Sequence, residues 1–288
     1  MITHAMFAII RVGIDPVAIH LGSGGVHWYG IMYVVAFWAA YRFGARPYAD
    51  RFGIPRHQAE RLCAWTIAFG LIGGRLYYVV QNNPWWYLQH PLHIFAVWEG
   101  GMAFFGAIAA GVATLIVGSR RMGLPTWAVL DGGALFAVIG QPIGRIGNVI
   151  NGDILGSPST LPWATAYTNP AAVLQNGFSL CTPEHCIAYQ PAALYEALGT
   201  LLIAIVLFAL RSRVRPGVVI ITYVALYSLS QLLLFTLRAS EPVVAFGLKQ
   251  AQLTAIVILV VIVPLMIAAW RKWTPGEARS VLVTPVRA

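Results

Sequence analysis

The chain has 288 residues, of which 58% are hydrophobic and only 10% charged, with a formal net charge of +9. A soluble domain carries about 25% charged residues, so an ordinary soluble fold is excluded; long apolar runs without strict alternation also exclude a membrane β-barrel. The expected fold is all-α, a polytopic membrane bundle of about seven helices with a small extracytoplasmic loop region, and the positive charge points to basic loops beside anionic lipid rather than to nucleic acid.

In chain order, residues 1–26 are mixed, with short apolar patches suited to lying on a membrane surface and a break at Asp15-Pro16. They lack the basic start and the Ala-x-Ala site of a secretory signal. The first span is expected at about 28–40, followed by a basic loop holding Arg42, Arg46, Arg51, Arg56 and Arg61. The second covers about 62–80 and contains Gly73-Gly74-Arg75. Residues 81–100 hold Trp85, Trp86, Tyr87 and Trp98 but no Lys or Arg, which reads as an interfacial aromatic belt. The third span is expected at about 101–117 and the fourth at about 127–143. A polar stretch, 157–190, forms a small head. The remaining spans fall at about 192–210, 218–237 and 251–270, and a basic tail, 271–288, follows one transmembrane domain, 1–270.

Fourteen of the 19 Lys and Arg residues then lie on one side. Basic loops stay in the cytoplasm, which puts the N-terminus and the 157–190 head outside a bacterial inner membrane and the C-terminus in the cytoplasm. Cys63 lies in an apolar run and reads as packing. Cys181 and Cys186 share a polar loop with Glu184 and His185. A disulfide in an oxidising compartment and a metal site are both open readings there, although one short pair with one His lacks the second half of a metal set.

Residues 144–156, Gly-Arg-Ile-Gly-Asn-Val-Ile-Asn-Gly-Asp-Ile-Leu-Gly, have the wrong composition for a lipid-facing helix. Backbone that leaves helical geometry near a bilayer needs protein or a watery cavity around it, and an arginine at that depth is a functional candidate. Arg145, free backbone N–H groups and the amides of Asn148 and Asn151 would cradle a phosphate. A polar re-entrant turn that merely reverses the chain is the bland alternative. Outside the cytoplasmic set, the basic residues are Arg11, Arg75, Arg145, Arg238 and Lys249; the carboxylates in or near spans are Glu99, Asp131, Asp153, Glu196 and Glu241. Arg75 and Arg238 either snorkel or pair structurally, or they join Arg145 in a site for an anionic head group.

At this point the residues match a family. The segments His27-Trp28-Tyr29-Gly30-Ile31-Met32, Gly73-Gly74-Arg75, Trp98-Glu99-Gly100-Gly101-Met102, 144–156 and Leu194-Tyr195-Glu196 resemble, in order and spacing, the bacterial prolipoprotein diacylglyceryl transferases. The likeness covers about residues 14–270, and the 144–156 stretch is its most specific part. The resemblance implies transfer of the diacylglyceryl group of phosphatidylglycerol to the lipobox cysteine thiol of a prolipoprotein. A thioether forms and glycerol phosphate leaves, with no metal or cofactor. It implies that Arg145 and Asn148 lie at the head group, that Tyr29 is functional and that Gly156 closes the motif. The roles expected here are that Arg145, with Asn148 and Asn151, binds the phosphate, that Arg75 and Arg238 add positive field, and that Tyr29 orients the ester or the peptide. Asp153 is expected to hold the motif by pairing with an arginine, Glu196 to orient a neighbour, and Glu99 to act structurally.

The chain also departs from the family pattern. The histidine position of the third span is Phe105, an arginine expected four residues after Tyr227 is Gln231, a later glutamate is Phe235, and the usual His-Pro before the fifth span is Gln190-Pro191. His27 then becomes either the group that takes the thiol proton or an interfacial hydrogen-bonding residue. Three functions stand from the sequence: the transferase, a divergent homologue that binds lipid without this reaction or uses another donor, and a small anion transporter, against which counts the lack of an internal repeat.

Overall fold

The computed structural model describes residues 9–22, 24–96, 100–174, 177–239 and 243–271. Three short strands, β1 (Ile10–Val12), β2 (Val17–Leu21) and β3 (Gly24–His27), precede α1 (Trp28–Ala39). The chain continues without a break through a π-helical turn (Ala40–Ala45) into α2 (Arg46–Arg51). This corrects the basic loop expected after residue 40: helix runs on past the apolar stretch, because arginine stems extend the membrane-facing surface while their heads reach water. Only 52–55 forms the turn, with Gly53 at φ 65° and Pro55 capping the next helix.

Next come α3 (Arg56–Gln81), α4 (Pro84–Gln89), a 3-10 turn (Pro91–Ile94), α5 (Phe104–Arg121), α6 (Thr126–Asn151), β4 (Thr165–Tyr167), α7 (Ala192–Leu210), α8 (Val218–Leu234), β5 (Val243–Ala245), β6 (Leu248–Lys249) and α9 (Gln250–Arg271). Five of these helices are long and apolar enough to cross a membrane, and α8 is a shorter apolar one. The continuous helix 28–51 completes a polytopic membrane bundle, at about 1.5 Å per residue long enough to span. The third span begins at Phe104, not Gly101, because Gly100 and Gly101 take φ 83° and 78°. The sixth ends at Leu234, and 235–237 turn.

Lipid tails are as apolar as leucine, so helices in a bilayer associate through close packing and polar contacts rather than through burial from water. Two sets of pairings follow that rule. On α3 and α5, Gly73 and Gly106 face each other, so that a Cβ on Gly73 would meet the Gly106 carbonyl oxygen at 2.7 Å. On α6, Leu135 and Val138 are fully buried against Leu207 of α7 and Val218 and Val219 of α8.

Asp131, also fully buried on α6, pairs with no arginine among the described residues. It accepts from the Tyr48 hydroxyl (2.9 Å) and from the backbone N–H groups of Gly217 and Ile220 (2.8 Å each), so it caps the start of α8. A helix start leaves four N–H groups without intrahelical acceptors, and Gly217 offers no side chain for the task.

Outside the bundle, β1 pairs in parallel with β4. The strand Ile10–Val12 is therefore joined to the head, while β2 and β3 form a hairpin of their own; residues 1–8 lie outside the described residues. The head packs Val12, Leu155, Tyr167 and Tyr189 together. The Cys181–Cys186 disulfide is formed, which decides between the two readings of that loop.

Candidate functional site

The site sits where α6 ends. Helix α6 passes through Pro142 and continues to Asn151, with Gly152 at φ 83° closing it. The residues from Gly144 to Asn151 are therefore helical, and the expected cradle of free backbone N–H groups is not there. Glycines replaced a loop by letting a helix come close: a Cβ on Gly147 would lie 3.3 Å from the Cα of Tyr29 on α1. The last carbonyls of α6 are taken up locally. Gly152 N–H donates to Asn148 O (2.8 Å), the Tyr167 hydroxyl to Val149 O (2.7 Å) and Val173 N–H to Asn151 O (2.8 Å). The head thus seals the helix end beneath the motif.

Side chains supply the polarity that backbone does not. Arg145 donates through Nη1 to Asn148 Oδ1 (3.1 Å) and its Nη2 lies 2.6 Å from Glu196 Oε2. Tyr227 of α8 lies in the field of the same guanidinium. Glu196, one turn into α7, is 2% exposed, and its Oε1 lies 3.7 Å from Arg238 Nη1. One buried carboxylate therefore bridges two arginines. A guanidinium carries five N–H donors, so these contacts leave Arg145 donors to spare, and its side chain keeps 23% of its surface open.

Asn148 turns its amide N–H to both oxygens of Asp153 (3.0 and 3.2 Å), and Asn151 donates to one of them (3.2 Å). Among the described residues Asp153 makes no direct ion pair with an arginine; it reaches Arg145 through Asn148. Burial lifts the Asp153 carboxyl above the ordinary carboxylate range, while the two asparagine amides pull the other way.

Gly156 is a backbone contact. It bridges to Arg238 and donates to Gln190 O (2.8 Å), and a Cβ there would meet Leu237 O at 2.8 Å and Gln190 Cβ at 2.9 Å. Only glycine lets the 235–238 segment pass this close and deliver Arg238 to Glu196. The Arg238 guanidinium stacks 4.6 Å from the ring of Phe235, the position where the family resemblance leads one to expect glutamate. An aromatic face attracts a guanidinium. Lys249 Nζ donates to Phe235 O (2.8 Å) and to Arg238 O, bracing the same segment from β6.

Of the other expected residues, Tyr29 lies beside Gly147 of the motif and Arg75 away from it. Tyr29 opens α1, and its hydroxyl shares a hydrogen bond with Tyr33 (2.8 Å), its neighbour one turn on. His27 is exposed at the end of β3, directly ahead of α1. Arg75 is 5% exposed on α3, but it belongs to the α3–α5 pair. It donates to Ile94 O (2.8 Å), Gly100 O (2.7 Å), Gly101 O (3.0 Å) and His93 O, and its guanidinium lies against Tyr78 and Tyr87. It ties down the segment before α5 and shares no contact with Arg145 among the described residues. Glu99 and Glu241 fall outside the described residues. Phe105 lies in the first turn of α5 and is 36% exposed.

Sequence reasoning passed over Tyr33, Phe235 as an arginine platform, and Lys249 as a brace. Tyr33 was findable from its four-residue spacing to Tyr29 on a helix.

A family profile described as prolipoprotein diacylglyceryl transferase matches residues 16–268. The chain belongs to this family. Among its relatives is a protein of Geobacter sulfurreducens that is 38% identical over 244 residues, covering 82% of this chain and 85% of that one. One from Bordetella avium is 37% identical over 215 residues (70% and 73%), and one from Nitrobacter winogradskyi is 30% identical over 283 residues (93% and 92%). All three are named phosphatidylglycerol–prolipoprotein diacylglyceryl transferase. The family match and the helices make this a multi-pass bacterial membrane protein.

Proposed function

We infer that this chain transfers the diacylglyceryl group of phosphatidylglycerol to the cysteine thiol of prolipoproteins. The observation that carries the reading is the buried Arg145–Glu196–Arg238 arrangement at the end of α6, in a chain of this family. The thiolate sulfur bonds to the glyceryl carbon, the bond from that carbon to the phosphate oxygen breaks, and its electron pair leaves with glycerol phosphate. Charge grows on the phosphate as that bond lengthens. Fixed donors aimed at it lower the barrier most when they need no rearrangement. Glu196 holds Arg145 and Arg238 on either side of one carboxylate, while Asn148 and Asn151, locked by Asp153, keep the motif's polar face in register.

In this reading Arg145 binds the phosphate directly, Arg238 adds field and Tyr29 orients the ester or the peptide. Arg75 acts through the 93–101 segment that it clamps. The thiol proton must be removed, since the thiolate is the nucleophile. With phenylalanine at position 105, we assign that step to His27, an imidazole exposed ahead of α1 and two residues before Tyr29. The head and the N-terminus face the outside of the inner membrane. The disulfide supports that orientation, because disulfides persist in oxidising compartments, and so does the arginine count.

The test uses the full chain in nanodiscs of phosphatidylglycerol with a lipobox peptide. The peptide mass should gain a diacylglyceryl group in the wild type and not in Arg145→Ala. Near-normal transfer by the variant sinks the assignment; lipid binding without any transfer by the wild type sinks the reaction.

A further inference from the structure

Between α8 and α9, at the Arg145 end of the bundle, β5 and β6 form a hairpin whose loop is only two residues, Phe246 and Gly247. Both take positive φ, 53° and 73°. Such a turn matches the twist of its strands and prefers Asn-Gly or Asp-Gly. A bulky side chain at positive φ is an outlier. The other non-glycine residue with positive φ among the described residues is Asn83, a type that tolerates it. Phe246 therefore strains the turn, and it is 95% exposed, more than any other large apolar side chain among the described residues. Its ring makes almost no contact within the chain that could offset the strain.

Its surroundings say what covers it. Val243 and Val244 are each 62% exposed, and 242–248, Pro-Val-Val-Ala-Phe-Gly-Leu, carries no charged or polar side chain. The flanking helices face lipid: Leu229 and Leu233 near the end of α8, and Val257 and Val260 on α9, are exposed. The hairpin therefore continues the lipid-facing surface of the bundle at its edge. Apolar and aromatic side chains on one element at that level bury themselves at the boundary of head groups and acyl chains. The base of the hairpin is tied to the site, because β6 ends at Lys249, whose Nζ donates to Phe235 O (2.8 Å) and to Arg238 O.

We propose that the 243–248 hairpin is a membrane-docking element, which seats Val243, Val244 and Phe246 among the acyl chains of the leaflet at the Arg145 end, with Phe246 as its anchor. Transfer of the ring from water to lipid offsets the strained turn. Since Lys249 follows directly, a seated hairpin also fixes the brace on the Arg238 segment. That consequence rests on the transferase reading; the seating does not.

The full chain is reconstituted in nanodiscs of phosphatidylethanolamine and phosphatidylglycerol with a trace of phosphatidylcholine carrying a diazirine in one acyl chain. A parallel sample receives a water-soluble diazirine. After irradiation, lipid adducts on 243–248 should be as dense as on 257–261 of α9, and the water-soluble reagent should label the hairpin sparsely. The reverse pattern overturns the proposal, and so does loss of the lipid adducts when a lipobox peptide is added, which would make the precursor the partner. Phe246→Asn supplies a residue that the turn prefers, so the hairpin should hold and the melting temperature should not fall, while lipid adducts on 243–248 drop several-fold. Unchanged adducts in this variant overturn Phe246 as the anchor. Turnover should fall several-fold in Phe246→Asn and recover in Phe246→Leu; unchanged turnover with the seating lost overturns the link to Arg238. If the wild type transfers nothing, the transferase reading fails, and the adducts still test the seating.

Discussion

Replacing Glu196 by glutamine removes one charge and almost no volume. The carboxylate lies 2.6 Å from Arg145 and 3.7 Å from Arg238 and is 2% exposed. Deleting one partner of a buried ion pair typically costs about 3–5 kcal/mol, because the other charge stays behind unpaired. Here two guanidinium groups stay behind and repel each other. At about 2 °C or more per kcal/mol for a chain of this size, the melting temperature in lipid-free detergent should fall by roughly 6 °C or more. A bound phosphate would replace the missing negative charge. Phosphatidylglycerol should therefore stabilise Glu196→Gln by more than it stabilises the wild type, since a ligand that binds the folded state shifts its stability. Transfer should still be slow, because the two arginines are no longer held to one point. The assay is a melting series with and without phosphatidylglycerol, using phosphatidylethanolamine as control. An unchanged melting temperature, or an equal lipid-induced shift in both proteins, refutes the view that Glu196 is the counter-charge of the site.

Asp131→Ala strands three donors, those of Tyr48, Gly217 and Ile220. At about 1–3 kcal/mol for each buried unsatisfied group, it should lower stability by about 3 kcal/mol or more in a denaturant titration, leaving the transfer rate per folded molecule near normal. Lys249→Met should do the reverse: the turnover number falls while the melting temperature moves little, and Lys249→Arg recovers much of the activity because it can still donate to Phe235 and Arg238 carbonyls. His27→Gln should lower the turnover number several-fold while leaving lipid binding and the melting temperature near those of the wild type. A variant with an unaltered turnover number would show that the proton goes elsewhere.

The departures from the family pattern have physical meaning at one position. Arg238 lies between the Glu196 carboxylate and the Phe235 ring. A ring face steers the guanidinium without neutralising it, so a phenylalanine there leaves more net positive charge for a phosphate than a glutamate would. Nothing in the structure explains Gln231.

Composition alone decided that this is a membrane helical bundle, because no soluble core tolerates so few charges over so many apolar residues. The apolar runs placed the fifth span at Ala192–Leu210 to the residue. The 144–156 stretch was legible as the polar heart of the chain, since arginine and asparagine at that depth are expensive and need a reason. Its conformation was not legible. Glycine and asparagine disfavour helix locally, and only packing of α6 against Tyr29 and the head, which seals the last carbonyls, keeps it helical to Asn151. The sequence could name Arg75, Arg145 and Arg238 as uncommon residues but could not say which of them share a site. That depends on which helices touch. Helix α3 pairs with α5 through facing glycines and carries Arg75 off to a set of carbonyls. Helix α7 packs on α6 and brings Glu196 to Arg145, and the glycine at 156 lets the end of α8 pass close enough to add Arg238. Partners so far apart in sequence are chosen by close packing within the bilayer, which no local pattern of residues encodes.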